Sequence, residues 1–246
     1  MNKPVYRHLA EQKWYKYKRL VLKQRIHQMD IVPDLLPFFK PTADVDLAFG
    51  RKKVAPGDFV SSAVSEQMPR LTVQTFEPGE KLVTIVVVDA DVPQPEKDCF
   101  TTRCHFIASN IPISPTQTSI PLIRIDQDDK KTENEADRKI VKRWVAPWAH
   151  KGAPYHRIAV FVFEQQNARP LWVNKVAMEK RDGFNLGACI SRHNLVPIGG
   201  TLFRTKWDDT MADVMERTGK GSEVNFELKN KKIIRPAYRK RTERMR

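Results

Sequence analysis

An antiparallel β-sandwich with a few helices and a basic extension at each end is the fold class predicted here, and three observations carry it. Short runs of β-branched and aromatic residues recur between turn-rich joins from residue 70 onward, the spacing of an all-β sandwich. Helix-like patterns are confined to the N-terminus and to two late segments. Charge is segregated: the net +14 comes from the two ends, leaving 26 basic and 27 acidic residues between them.

Residues 1–29 open the chain as a basic amphipathic helix. "YRHLAEQKWYKYKRLVLKQRIHQ" has good helix formers, no internal Pro or Gly, and Ala10, Trp14, Tyr17 and Val21 in three- and four-residue steps. Residues 1–27 hold eight Lys/Arg against Glu11 alone. Membrane-surface, protein-docking and lightly packed solvated helices all fit this pattern, while Trp14, Tyr15 and Tyr17 among lysines suit stacking and phosphate contact on RNA. The segment lacks the serines of a transit peptide. Residues 30–69, punctuated by Pro33, Pro37, Pro41, Pro56 and Pro69, read as an extended strap around the body.

The body, residues 70–228, offers strands at "LTVQTF" (71–76), "LVTIVVV" (82–88), "CHFIAS" (104–109), "PLIRI" (121–125), "HRIAVFVFEQ" (156–165) and "GTLFRTKW" (200–207). Helices are expected at 184–193 and 209–218. "DQDDKKTENEADRK", residues 126–139, is too polar for the core and reads as an exposed excursion, helical in part or disordered. Residues 229–246 form a basic tail with nine Lys/Arg against Glu243, and Pro236 argues against a helix there.

The 246 residues suffice for one sizeable core plus appendages. No window reaches the roughly 18 uninterrupted apolar residues of a spanning helix, so a soluble chain is expected. Cys99, Cys104 and Cys189 are odd in number without a CxxC pair, which suits free thiols in a reducing compartment. No metal is expected, because Cys99, Cys104 and His105 lack a visible fourth ligand. No cofactor is expected either.

The segment "VVVDADVPQ" places Asp89 and Asp91 at the end of a buried strand. On a continuing strand both carboxylates face one way and could hold Mg²⁺ or share a proton. Capping of the strand end is the commoner use of such residues. A hydrolase using Asp89, Asp91 and His105 is disfavoured, since neither a G-x-S-x-G turn nor a full metal set is present.

Five blocks, in order, resemble the phosphatidylethanolamine-binding protein family. "VVVDADVP" is similar to its DPDAP segment, "CHFIASNIP" to its His-centred strand, and "HKGAPYHRIAVFVFEQ" to its KGxxxHRY…YEQ block. "FNLGACISRHNL" and "PIGGTLFRTKWDD" look like its C-terminal helix and strand. The resemblance implies a two-sheet antiparallel sandwich and a small anion pocket, with Asp89, Pro93, His105 and His156 at the matching positions and Asp91 beside them. Imidazolium groups suit a phosphate, and a neighbouring carboxylate suits orienting them.

Departures from the family pattern imply a pocket that has decayed. Arg103 stands where the family has Trp, Ile158 where it has the Tyr of HRY, His150 where a Pro precedes KG, and Thr210 where Tyr is common. Each lost buried partner costs about 1–3 kcal/mol, an order of magnitude or more in affinity.

A long basic N-terminus, a Pro-rich strap, a decayed pocket and a basic C-terminus together resemble the branch of this family built into the large subunit of the mitochondrial ribosome. The implied role is a non-enzymatic structural constituent in the mitochondrial matrix, its body held to rRNA and neighbouring proteins by its ends. The phosphate contacts would fall to Lys13, Lys16, Lys18, Arg19, Lys23, Arg25, Lys231, Lys232, Arg235, Arg239, Lys240, Arg241, Arg244 and Arg246. Extensions of this kind are expected to order only on contact. The alternative is a free regulator that binds phosphate or phospholipid headgroups.

Overall fold

The structure, a computed structural model, describes residues 3–94, 97–132, 138–166, 170–171 and 180–221. Two antiparallel sheets make the sandwich. The smaller comprises β1 (Asp44–Phe49), β2 (Lys52–Val54), β3 (Arg70–Gln74) and β6 (Ser119–Ile120), in the order β2-β1-β3-β6. The larger comprises β4 (Lys81–Gln94), β5 (Cys99–Ile113), β7 (Ile140–Lys142), β8 (His156–Gln165) and β9 (Leu195–Thr205), in the order β7-β5-β4-β8-β9.

The central strands are apolar on both faces because both faces are covered. Val83, Ile85 and Val87 of β4, with Ile158, Val160 and Val162 of β8, pack against Val45, Leu47, Leu71 and Val73 of the smaller sheet. Val86 and Val88, with Ala159, Phe161 and Phe163, face outward onto a helical layer. That layer is made of α2 (Lys18–Gln28), α3 (Ile31–Asp34) and α6 (Leu186–His193), through Leu22, Ile26, Ile31, Leu186 and Cys189. Alternation along each strand thus feeds two cores at once.

The N-terminal helix is broken at Tyr17 (φ −125°, ψ −77°) into α1 (Pro4–Lys16) and α2. Its inward face also differs from the expected one. Trp14, Leu22 and Ile26 are buried, whereas Tyr17 and Val21 are 67% and 52% exposed. Between Trp14 and Leu22, the half-exposed Lys18 side chain reaches the body by pairing with Asp44 (2.9 Å) and Asp46 (3.2 Å). A face containing a paired lysine is invisible to a search for apolar periodicity alone. Helix α2 packs on the body through Leu22 and Ile26, and α1 through Trp14.

Two other expectations are corrected. The strap over 30–69 becomes part of the sandwich from Asp44, because Pro41 and Pro56 bracket the alternating "DVDLAF" and do not interrupt it. "PLIRI" is helical: α5 (Leu122–Lys131) buries Leu122 and Asp129 at helical spacing, and Asp129 accepts the Ile140 N–H at 2.6 Å. A short apolar run fits strand and helix equally. Helix α7 (Met211–Arg217) lies inside its expected range. Of the polar excursion, residues 133–137 lie outside the described residues.

Gly199 and Gly200 show how closely the layers approach. A Cβ on Gly199 would stand 2.6 Å from Val45 Cγ2 and 3.2 Å from the Ala43 carbonyl oxygen. Gly199→Val is therefore expected to destabilise the fold by about 1–3 kcal/mol through overpacking. Denaturant unfolding checks this; an unchanged midpoint would show that β1 yields freely.

Candidate functional site

The Asp89 carboxylate is buried where β4 loses its regular pairing. Register irregularities lie between Val87 and Val88 and between Asp89 and Val92. At the first, Val87 faces Phe106 and Val88 faces Cys104, so His105 is the extra residue of a bulge on β5. A bulge re-aims a side chain, and here it brings His105 Nε2 to 3.9 Å from Asp89 Oδ2. Arg181 secures the bulge by donating from Nη1 to the carbonyls of Cys104 (3.1 Å) and His105 (3.0 Å).

His156, the first residue of β8, donates from Nδ1 to Asp89 Oδ2 at 2.7 Å. Asp89 Oδ1 accepts the Asp91 N–H at 2.9 Å. His105 donates from Nδ1 to the Val145 carbonyl at 3.0 Å, which leaves its Nε2 directed toward the carboxylate. Burial by itself would raise the Asp89 pKa, but the coulombic pull of His156 and contact with both imidazoles outweigh it and hold the carboxyl far below its ordinary value of 3.8. Asp89, His105 and His156 are each only 1% exposed.

The surroundings close this cluster. The Trp148 ring packs edge-on to His105 with centroids 5.5 Å apart, and His150 lies 5.8 Å from the His156 ring. Arg103, at the position where the family has a Trp, lays its guanidinium 4.1 Å over Trp148 and pairs with Asp182. His105 Nε2, His156 Nε2 and Trp148 Nε1 have no hydrogen-bond partner among the described residues. The neighbouring Cys104 thiol offers no nucleophile, since burial pushes its pKa up to about 12. Among the described residues no group of three or more His, Cys, Asp or Glu could hold a metal ion.

Asp91 is not part of this cluster. Within the second irregularity it turns to Arg157, whose Nε and Nη2 reach its two oxygens at 2.8 and 2.7 Å. The Arg157 N–H also donates to Asp91 at 2.8 Å. Nη1 of the same guanidinium donates to the Met29 carbonyl at 2.6 Å and to Asp34 at 2.9 Å, joining the end of α2 and α3 to the sandwich. Of the readings left open, a shared face on a continuing strand does not hold, because the strand does not continue regularly, whereas Asp89 accepts a backbone N–H as a capping carboxylate does. Pro93 lies farther along β4, opposite Phe100. A groove of about 550 Å³ beside His156 is lined by Asp91 and Arg157, together with Met29, Asp34 and Phe100.

Of the expected RNA contacts, Lys13, Lys16 and Arg25 are exposed and Lys23 is half-buried. Lys18 is engaged with Asp44 and Asp46, while Arg19 donates to the Pro41 carbonyl at 3.1 Å and covers Tyr15. Lys231, Lys232, Arg235, Arg239, Lys240, Arg241, Arg244 and Arg246 lie outside the described residues. The residues missed from sequence are Arg157, Trp148 and Arg181. Arg157 alone had a signal, since alternation from His156 sends it to the opposite face of β8.

Sandwich and buried Asp–His cluster together define the class: residues 40–203 match the phosphatidylethanolamine-binding protein family model, and the chain belongs to that family. It is 28% identical over 218 residues to large ribosomal subunit protein mL38 of Schizosaccharomyces pombe, an alignment covering 87% of this chain and 66% of that protein. The chain thus spans just under two thirds of that relative's length. It is 25% identical over 178 residues to protein TERMINAL FLOWER 1 of Arabidopsis thaliana, covering 72% of this chain and 86% of that one. Among solved structures, a carboxypeptidase Y inhibitor in complex with its cognate proteinase superposes with a TM-score of 0.60 at 13% identity, over 77% of this chain and 97% of that chain. A phosphatidylethanolamine-binding protein from Plasmodium vivax gives 0.55 at 16% identity, over 75% and 97%. These two likenesses concern the fold.

Proposed function

We propose that the chain is a structural constituent of the mitochondrial large ribosomal subunit, with a non-catalytic body held to rRNA and neighbouring proteins by its extensions. One observation carries the reading: similarity to the ribosomal relative runs over 218 residues, beyond the 40–203 span shared with the family at large. What this chain has in common with that relative therefore includes sequence outside the sandwich. Two features support it. The Asp89, His105 and His156 side chains are each 1% exposed and are engaged with one another and with the surrounding backbone, a use of the cluster that suits a scaffold. Val5 and Leu9 of α1, Tyr17 at the break and Val21 of α2 are uncovered apolar side chains beside exposed cations such as Lys13 and Lys16, as expected of a surface completed by assembly.

No described helix is long and apolar enough to cross a membrane. Location in the matrix follows from the ribosomal reading.

Sedimentation of the tagged chain from organelle lysate tests the proposal. Comigration with the large subunit that survives moderate salt and collapses after RNase treatment is the expected result. A slow peak near 28.5 kDa, indifferent to RNase, would overturn it and favour the free headgroup-binding regulator, then to be titrated with phosphoethanolamine.

A further inference from the structure

The segment between β2 and α4 (Ser62–Ser65) is bound to β9 by its backbone. Arg204 N–H donates to the Asp58 carbonyl at 2.8 Å, Val60 N–H to the Arg204 carbonyl at 2.9 Å, and Arg204 Nε to the Gly57 carbonyl at 2.7 Å. These bonds lay the Arg204 guanidinium over the Phe59 ring, 3.9 Å from its centroid, and 5.3 Å from that of Tyr155. Tyr155 meets Phe59 edge-on with centroids 6.0 Å apart, and Lys206 Nζ stands 5.3 Å from the Phe59 centroid. Phe59 is nonetheless 46% exposed.

The same ring lines a pocket of about 150 Å³ together with Lys52, Lys53, Val54 and Val64. Lys52 is exposed, and Lys53 reaches solvent despite its contact with Asp46 at 3.2 Å. Asp58 is the one carboxylate of the lining; it accepts the Ala55 N–H at 3.3 Å. Arg204 covers one face of the Phe59 ring, and the half-exposed remainder borders a pocket edged by Lys52 and Lys53 with Lys206 nearby, which combines the two elements that bind single-stranded nucleic acid: aromatic surface for stacking and cations for the backbone.

We propose that this pocket takes one unpaired base of a single-stranded RNA segment, stacked on Phe59, with Lys52, Lys53 and Lys206 on the flanking phosphates. The site shares no residue with the Asp89 cluster. It rests on the ribosomal reading for the source of the RNA, and it gives the near-neutral body a nucleic-acid contact of its own. A duplex is excluded as occupant because its bases are already stacked on one another.

The test separates base stacking from charge. The full chain is titrated by fluorescence anisotropy with an oligouridylate and with an abasic oligomer of equal length and phosphate count, at salt high enough to screen exposed Lys/Arg contacts. The wild type should prefer the base-bearing oligomer by roughly tenfold. Phe59→Leu, which still fills the loop, should lose that preference with its abasic affinity unchanged, and Phe59→Tyr should keep it. Equal affinity for the two oligomers, no binding of either, or a preference that survives in Phe59→Leu overturns the site. If Phe59→Leu does not fold, 4-thiouridine crosslinking of the wild type decides: adducts at Phe59 or Tyr155 support the site, and adducts confined elsewhere overturn it. A chain that cosediments with the ribosomal subunit yet shows no base preference removes the stacking site and leaves the ribosomal reading intact.

Discussion

Arg157→Ala is expected to lower the unfolding free energy by about 2–4 kcal/mol and to expose the N-terminal helices to protease. The guanidinium is one group with three jobs: a two-pronged bond to Asp91, a bond to the Met29 carbonyl, and an ion pair with Asp34. Exposed pairs contribute about 0–1 kcal/mol, but Arg157 and Asp91 are only 15% and 17% exposed, and truncation leaves the Asp91 charge without its partner. Asp34, 45% exposed, rehydrates at little cost. Arg157→Lys should recover only part of the loss, because an ammonium cannot form the fork. Chemical denaturation and limited proteolysis read the two effects separately. A destabilised variant whose first 30 residues are cut no faster would show that Arg157 acts on the sandwich alone.

Asp89→Ala should cost about 3 kcal/mol or more, since it strands the His156 Nδ1–H in a buried site. Asp89→Asn should cost less, because an amide oxygen can still accept that bond. The pH dependence has a definite sign. The folded carboxyl titrates below its ordinary value of 3.8, so the stability it contributes is fully present above about that pH and is lost as pH falls toward the folded value. The wild type should therefore lose stability below pH 4 with a slope that Asp89→Asn reduces. Parallel acid limbs in the two proteins would assign the acid sensitivity to other groups.

Sequence made the sandwich legible wherever burial was two-sided. The His156–Gln165 strand has the boundaries its apolar run suggested, and β4 and β5 contain their expected cores, extended at both ends by pairing that no local pattern encodes. Proline density masked β1 because breakers were counted across the whole strap and not located relative to the alternating segment. The site was legible in composition but not in geometry. Asp89, His105 and His156 converge, yet His105 arrives through a bulge and Asp91 departs through another irregularity, and both depend on cross-strand register. Lys18 shows the same limit: as sequence it is one more phosphate-seeking cation, and in the fold it faces two aspartates.

The anchoring of the N-terminal helices by Trp14, Lys18, Leu22, Ile26 and the Arg157 clasp bears on how that end meets a partner. Ordering a free segment costs roughly 1–2 kcal/mol per residue at the moment of docking, a cost that contacts made with the chain's own body would remove from that step. Calorimetry on this end should accordingly find a small heat-capacity change, set by the contact area alone, with none of the large decrement that marks a segment folding as it binds.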